Sequence, residues 1–417
     1  MSNDSKLFNK DISILTSLRV IRPVIDVFTA SFLIAYLLKI AQNDFKPIAL
    51  YFIFFSISTP LVFLALGNFV KRKNKMVLFR IGIILNFFHL LAISVLKEKS
   101  VDYIIWFGIS YGFYAGFYAS AYNSLLSEKV DRKKMGKFMG YVTSMGNATK
   151  IIASYLLGKY IHISSFENCM FIILGFSCLE VMLSFFIKSE KCSTAKFKPS
   201  VFLQIIKNEP LLQKAFFIEF LKGMTLYGCL TILITLYTIC QFETNLNLGI
   251  FNSAFAILTI IISYIFGRYI NKEQYPALSL VNSLFIIVTA FLFAFDSSKI
   301  NFILYNICYA TFIQLIQLIT DTNLFNISNS VKIRDTFRTE YFAVREVYLC
   351  SGRAISYSML LFAGYYYPES SLKALLISLT FVVSMAGLLS SRMQKELNDN
   401  EESEIKSENI AQLTETA

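Results

Sequence analysis

Residues 47–80 read PIALYFIFFSISTPLVFLALGNFVKRKNKMVLFR, with no charge from 47 to 69 and then four cations at Lys71, Arg72, Lys73 and Lys75. A hydrocarbon core about 30 Å thick is crossed by about 20 apolar residues of helix. Backbone in that layer must satisfy its own hydrogen bonds, so the run is a spanning helix. Working outward, similar runs lie at 23–41, 76–96, 103–125, 138–159, 168–187, 212–240, 247–268, 276–295, 300–321, 343–365 and 372–391, which makes twelve predicted spans. Of the 39 Lys and Arg, 29 lie in the two tails and in the alternate gaps 71–80, 128–137, 188–214, 268–272 and 332–345. Seven lie in the other gaps, and Lys150, Lys222 and Arg353 fall inside spans. Basic loops stay on the cytoplasmic side. The expectation is a multi-pass inner or plasma membrane protein with both termini cytoplasmic.

Composition agrees, with 55% hydrophobic residues, 41 Phe, 16% charged residues and a mean hydropathy of +0.55. A net charge of +11 would suggest nucleic acid in a soluble protein. Here the one-sided placement assigns it to anionic lipid headgroups, and no nucleic-acid partner is expected. The polar start MSNDSKLFNKD precedes a full-length span without a small-residue cleavage site, so it does not read as a signal peptide. Seven cysteines, most of them in apolar spans (among them Cys178, Cys229, Cys240, Cys308 and Cys350) and none in a C-x-x-C pair, support neither a zinc site nor a disulfide framework. No metal or other cofactor is expected. The sequence contains no G-x-x-x-x-G-K-[ST] run, so energy would come from an ion gradient or the substrate's own gradient.

The predicted organisation is all-α: a cytoplasmic segment 1–22, a six-helix bundle 23–187, a cytoplasmic linker 188–211, a second six-helix bundle 212–391, and a tail 392–417. The acidic tail lacks aromatics and reads as disordered. Val201–Lys207 in the linker is a short amphipathic run expected to rest on the membrane surface. The chain is expected to act as a monomer. The halves echo each other. After span 2 stands Gly67-Asn-Phe-Val-Lys71-Arg72-Lys-Asn-Lys75, and after span 8 stands Gly267-Arg-Tyr-Ile-Asn271-Lys272. Lys150 in span 5 and Arg353 in span 11 each follow a stretch of small residues. Repeated halves about an axis along the membrane normal are a transporter design.

Six spans, a basic linker, six spans and the Gly-x-x-x-polar-cation turns resemble the major facilitator superfamily, whose turn reads G-x-x-x-D-[RK]-x-G-[RK]-[RK]. Gly67, Arg72 and Lys75 match it, while Lys71 stands in place of the aspartate and Asn74 in place of the second glycine. Gly267 and Lys272 take the same places in the second half. The resemblance implies two pseudo-symmetric bundles and gating at these turns. Span 4 lacks the arginine, and span 5 the proline, of the family's drug/proton antiporters. Glu340-Tyr-Phe-Ala-Val-Arg345-Glu346 with Gly352-Arg353 is similar to a poorly characterised Gram-positive branch of the family.

Ionisable groups at bilayer depth cost at least about 2.5–3.5 kcal/mol and normally face a cavity or a partner. Lys150 and Arg353 lie near mid-span, Glu219 and Lys222 a few turns into span 7, and Asp26 one or two turns into span 1. The family's arrangement, with spans 1 and 5 adjacent and spans 7 and 11 adjacent, implies pairs Asp26–Lys150 and Glu219–Arg353. Tyr111, Tyr114, Tyr118 and Tyr122 share a face of span 4, and Gln314, Gln317 and Asp321 share one of span 10. Both spans line the central cavity in the family fold, so these residues read either as packing or as a binding surface. His89 reads as a packed residue, His162 as a solvated loop residue, Glu180 as locally paired, and Arg345–Glu346 as a helix cap or a conformation-dependent salt bridge.

The expected function is secondary active transport of a small molecule by alternating access. Asp26, Glu219 and Asp321 make proton coupling plausible, and the reading extends to export of an amphiphilic or charged compound. Two other classes compete with it. A transport-inactive sensor or assembly protein would share every feature above, and a proteoliposome flux assay separates the two. A membrane-embedded enzyme on lipid-linked substrates would need paired carboxylates, a histidine cluster or a metal site at a membrane face. Two isolated histidines and short outer gaps argue against an enzyme.

Overall fold

The computed structural model describes the chain apart from residues 1–9, 43, 73–74, 130–131, 188–195, 243–244, 297, 329–336, 367 and 416–417. Parts of the predicted segment 1–22 and linker 188–211 therefore lie outside the described residues. The long helices of the first half are α1 (Lys10–Val27, a π turn Phe28–Phe32, then Leu33–Ile40), α2 (Lys46–Arg72), α3 (Lys75–Leu96), α4 (Ile104–Lys129), α5 (Arg132–Ile163) and α6 (Phe166–Ser184). A linker helix, Pro199–Asn208, follows. The second half comprises α7 (Pro210–Met224 and Cys229–Phe242), α8 (Asn245–Tyr269), α9 (Tyr275–Phe295), α10 (Lys299–Cys308, a π turn Tyr309–Ile313, then Gln314–Ser328), α11 (Arg338–Tyr366) and α12 (Pro368–Glu415).

Helix starts are written locally. Pro199 and Pro210 open their helices at the position where the missing N–H is harmless. Ser165 and Ser298 cap α6 and α10 by accepting the amides of Asn168 and Asn301. Among the described residues, nine segments are long and apolar enough to cross a membrane. They lie in α1, α2, α3, α6, α7, α8, α9, α10 and α12. Helices α4, α5 and α11 cover the remaining predicted stretches. Exposed Phe88, Trp106, Phe171, Phe285 and Phe362 give the outside an apolar surface suited to lipid.

Helix pairing repeats between the halves. In the first, α1 packs on α5 and α6, α4 on α2 and α3, and α3 on α6. In the second, α7 packs on α11 and α12, α10 on α8 and α9, and α9 on α12. The halves meet along α2 with α11 and α5 with α8.

Four details depart from the sequence reading. The first span runs Thr16–Ile40, earlier than predicted, because Arg19 and Arg22 interrupt the hydropathy run yet are absorbed by partners inside the bundle. Span 7 breaks between Met224 and Cys229. The linker helix buries Phe202 and Ile206 in a cluster with Phe216 and Tyr341 of α7 and α11, a protein contact the sequence reading did not include. The tail, expected to be disordered, continues α12 as helix to Glu415. It contains no Pro or Gly and is rich in Glu, Lys, Leu, Ala and Gln, which are good helix formers, and Lys214 of α7 pairs with Glu396 near its start.

Candidate functional site

Helices α7, α10 and α11 build a charged cluster. Lys222 is 0% exposed and donates to Glu219 Oε1 at 2.6 Å and to Asp321 Oδ1 at 2.5 Å. Arg345 Nε donates to the other Glu219 oxygen at 2.8 Å. The Tyr227 hydroxyl donates to Asp321 Oδ2 at 3.1 Å and accepts from Gln317 Nε2 at 2.8 Å. Tyr227 lies in the break of α7, where backbone leaves the helical ladder. Its carbonyl is free to accept Arg353 Nε at 2.7 Å. Broken helices whose unwound backbone lines an interior site are a transporter device. The close crossing of α7 and α11 depends on glycine: a Cβ on Gly223 would strike the Leu349 carbonyl, and one on Gly352 the Phe220 carbonyl.

The first half centres on Arg22, which is 2% exposed. Its Nε donates to Asp26 Oδ1 at 2.8 Å and its Nη1 to Glu180 Oε2 at 3.3 Å. The tyrosines of the α4 stripe adjoin one another with centroid spacings of 5.5, 5.7 and 5.7 Å, the last pair, Tyr118–Tyr122, stacked. Arg22 sits 4.5 Å from Tyr114 and 5.4 Å from Tyr118, and Arg19 sits 5.3 Å from Tyr122. Tyr114, Tyr118 and Tyr122 are therefore buried cation–π partners. Half-buried Tyr111 stays at the meeting of the halves beside Phe55, 5.1 Å away. On α11 opposite, the Arg353 guanidinium lies 5.5 Å from the Phe55 ring and its Nη1 3.5 Å from Glu346.

Both family-implied pairs are corrected. Asp26 bonds to Arg22, not Lys150, and Glu219 bonds to Lys222 and Arg345, not Arg353. Acids and bases three or four residues apart on one helix meet first. Arg345 also precedes Arg353 by eight residues on α11, about 12 Å at 1.5 Å per residue, which brings it level with Glu219. Gln314 leaves the cluster and bonds Ser263 of α8 at 3.3 Å. His89 is buried between the Tyr51 hydroxyl and Ser110, at 3.2 and 2.8 Å.

Lys150 stands apart. The buried residues of α5 around it are Gly146, Ala153, Ser154 and Leu157, and the exposed ones are Ala148, Ile152, Tyr155 and Leu156. At about 100° per residue Lys150 falls in the middle of the buried stripe, yet it is exposed. Its side chain thus opens into interior space between helices, away from the apolar outer face.

The turn after α2 holds the halves together. Lys71 Nζ donates to Glu340 Oε1 of α11 at 2.7 Å and to the Lys196 carbonyl at 3.2 Å. The Lys198 amide donates to the same Glu340 oxygen at 2.8 Å, and the Phe197 amide to Asn68 Oδ1 at 3.1 Å. The Phe197 ring lies directly on Gly67, leaving no room for a side chain there. Gly67 and Lys75 line a cavity of about 130 Å³ with Phe63, Ser120, Arg338 and Ala343. The side chains of Gly267 and Lys272, the equivalent turn, lie outside the described residues. Sequence reasoning missed Tyr227 and the role of Lys71. The signals were two glycines, Gly223 and Gly228, inside one span, and a cation where the resembled turn has an acid.

An all-α, multi-pass membrane architecture with repeated helix pairing, a broken helix and interior charges where its halves meet defines the transporter class of fold. The chain belongs to the Major Facilitator Superfamily, whose model matches residues 24–357. It is 22% identical over 333 residues, 78% of this chain and 76% of the relative, to the uncharacterized protein YqgE of Bacillus subtilis (strain 168). The solved structure of a bacterial metal transporter shares its fold with a TM-score of 0.62 and 16% identity, over 92% of this chain and 98% of that one.

Proposed function

We propose that the protein is a secondary active transporter that moves a small amphiphilic organic anion by alternating access, driven by protons. The observation that carries the reading is Lys150, a cation at mid-helix that faces interior space and makes no ion pair among the described residues. Around it five cations stand against five carboxylates: Arg19 and Arg22 with Asp26 and Glu180, Lys222 and Arg345 with Glu219 and Asp321, and Arg353 with Glu346. The uncompensated interior charge is positive, which favours an anion. A metal cation fits less well, because each of these carboxylates already carries a protein cation. Phe55, Tyr111 and the stacked pair Phe52–Tyr357, at 4.8 Å, supply apolar surface near Arg353 for the rest of such a molecule.

A thermal-shift panel of organic anions on the purified protein is expected to find stabilising ligands, and Lys150→Met and Arg353→Met are expected to abolish the shift and proteoliposome transport. Methionine keeps roughly the volume and fits a helix, so folding should survive. Wild-type transport in both single variants would reduce the two cations to packing features.

The same reading puts the Lys71–Glu340 end, the linker and both termini in the cytoplasm, following the 29-to-7 distribution of basic residues. A periplasm-active reporter fused after Ala417 is expected to stay silent. Activity there would overturn the orientation.

A further inference from the structure

We propose that Glu180 of α6 is the proton-binding carboxylate, served by a few enclosed waters in the core of the first six helices; this rests on the proton-driven transport proposed above. Glu180 is 0% exposed, with one oxygen on Arg22 at 3.3 Å. Its other oxygen, Arg22 Nη2, the Tyr118 hydroxyl, Ser177 Oγ and both amide atoms of Asn86 are buried without a hydrogen-bond partner among the described residues. Four helices contribute these atoms, and inter-helix contacts fix their level. Arg80 Nε of α3 reaches the Ser184 carbonyl of α6 at 3.3 Å. Counting along the antiparallel pair from there sets Asn86 beside Ser177, with Glu180 about one turn nearer the cytoplasm. On α4, the Tyr118 backbone abuts Gly82, one turn below Asn86, and Arg22 touches both Tyr118 and Glu180.

Buried polar groups are almost always hydrogen-bonded. Several such atoms converging in one core hold water, which needs two to four polar partners. A metal cation is excluded from this spot by the adjacent guanidinium, so the ion exchanged through these waters is a proton. The charged and titratable groups facing Glu180 are Arg22 and Asp26 of α1 and Tyr114 and Tyr118 of α4. Arg80 of α3 is turned away onto the carbonyls of Ser184, Phe185 and Ile187.

Arg22 links this core to the transport path. It divides itself between Glu180 and Asp26, and Asp26 is 45% exposed on the interior side. When Glu180 takes a proton it no longer needs the guanidinium, which can commit to Asp26. When Glu180 is ionised it competes for Arg22 and leaves Asp26 weakly held. Protonation is thereby coupled to the charge that the central space presents, the differential interaction that any ligand-driven shift requires.

The test is infrared difference spectroscopy of the purified protein between acidic and alkaline pH, which reads carboxylic C=O stretches without any substrate. A buried carboxylic-acid band is expected to disappear on raising the pH, and to be missing from Glu180→Gln. Ser177→Ala and Asn86→Leu keep the carboxyl but remove water ligands, and each is expected to shift the band's frequency. These two variants carry the test should Glu180→Gln not fold. A band that survives in Glu180→Gln, or one that neither Ser177→Ala nor Asn86→Leu moves, overturns the proposal. The outcomes separate from those of transport. A protein that carries nothing in proteoliposomes still shows the band if Glu180 binds a proton, and a transporter without the band is driven by another ion.

Discussion

Replacing Glu219 with leucine is expected to be the most damaging single change in the membrane interior, at about 3–5 kcal/mol of stability, the cost of stripping a partner from a buried ion pair. Glu219 is 1% exposed and bridges two cations, Lys222 at 2.6 Å and Arg345 at 2.8 Å. Without it, an ammonium that is 0% exposed and a guanidinium share the remaining acid, Asp321. Lys222 has no route to solvent, whereas Arg345 at 19% exposure has one. The variant Glu219→Leu/Lys222→Met should therefore recover a large part of the loss, because an apolar pair of similar volume often serves as well as the ions it replaces. A detergent-unfolding titration of the two single variants and the double one closes the cycle. Additive losses would mean that the two residues stabilise the helices independently and that the short contact is energetically idle.

Spans were legible because crossing a bilayer imposes a length and a composition, as the uncharged run 47–69 shows. The halves were legible from the repeated Gly67 and Gly267 turns. Residues at bilayer depth were also legible: Lys222, Glu219 and Asp321 do cluster, with Gln317 beside them. Partner choice was not. It depends on helix rotation and register, and a shift of about two turns along α11 exchanges which arginine stands level with Glu219. Arg22 was overlooked for a related reason. Hydropathy scores a side chain as though it met lipid, whereas this one meets Glu180 and two tyrosine faces. The break in α7 was written in Gly223 and Gly228, but only a packed neighbour such as Arg353 turns the freed Tyr227 carbonyl into part of a site.

Cutting the Lys71–Glu340 contact is expected to shift the conformational equilibrium toward the state open at that end of the bundle. Glu340 is 0% exposed, and its bonded oxygen accepts both Lys71 and the Lys198 amide, while its other oxygen has no partner among the described residues. The carboxylate is thus already short of partners when the halves are closed. Lys71→Ala removes its cation, at about 3–5 kcal/mol for a buried pair. That penalty falls on the closed state alone, because once α2 and α11 separate Glu340 is hydrated. At 1.4 kcal/mol per tenfold, the closed state loses about a hundredfold or more in population. A cysteine at Ala343, in the cavity between Gly67 and Arg338, should then react much faster with a charged maleimide than in the parent, above the native-cysteine background. The decisive variant is the exchange Lys71→Glu/Glu340→Lys. Attraction depends on opposite signs and not on which helix carries which, so the exchange should slow labelling back toward the parent rate while Lys71→Glu alone labels fastest. Equal rates in the exchange and in Lys71→Glu would assign closure to the Phe197–Gly67 contact and the linker backbone, with the charges as bystanders.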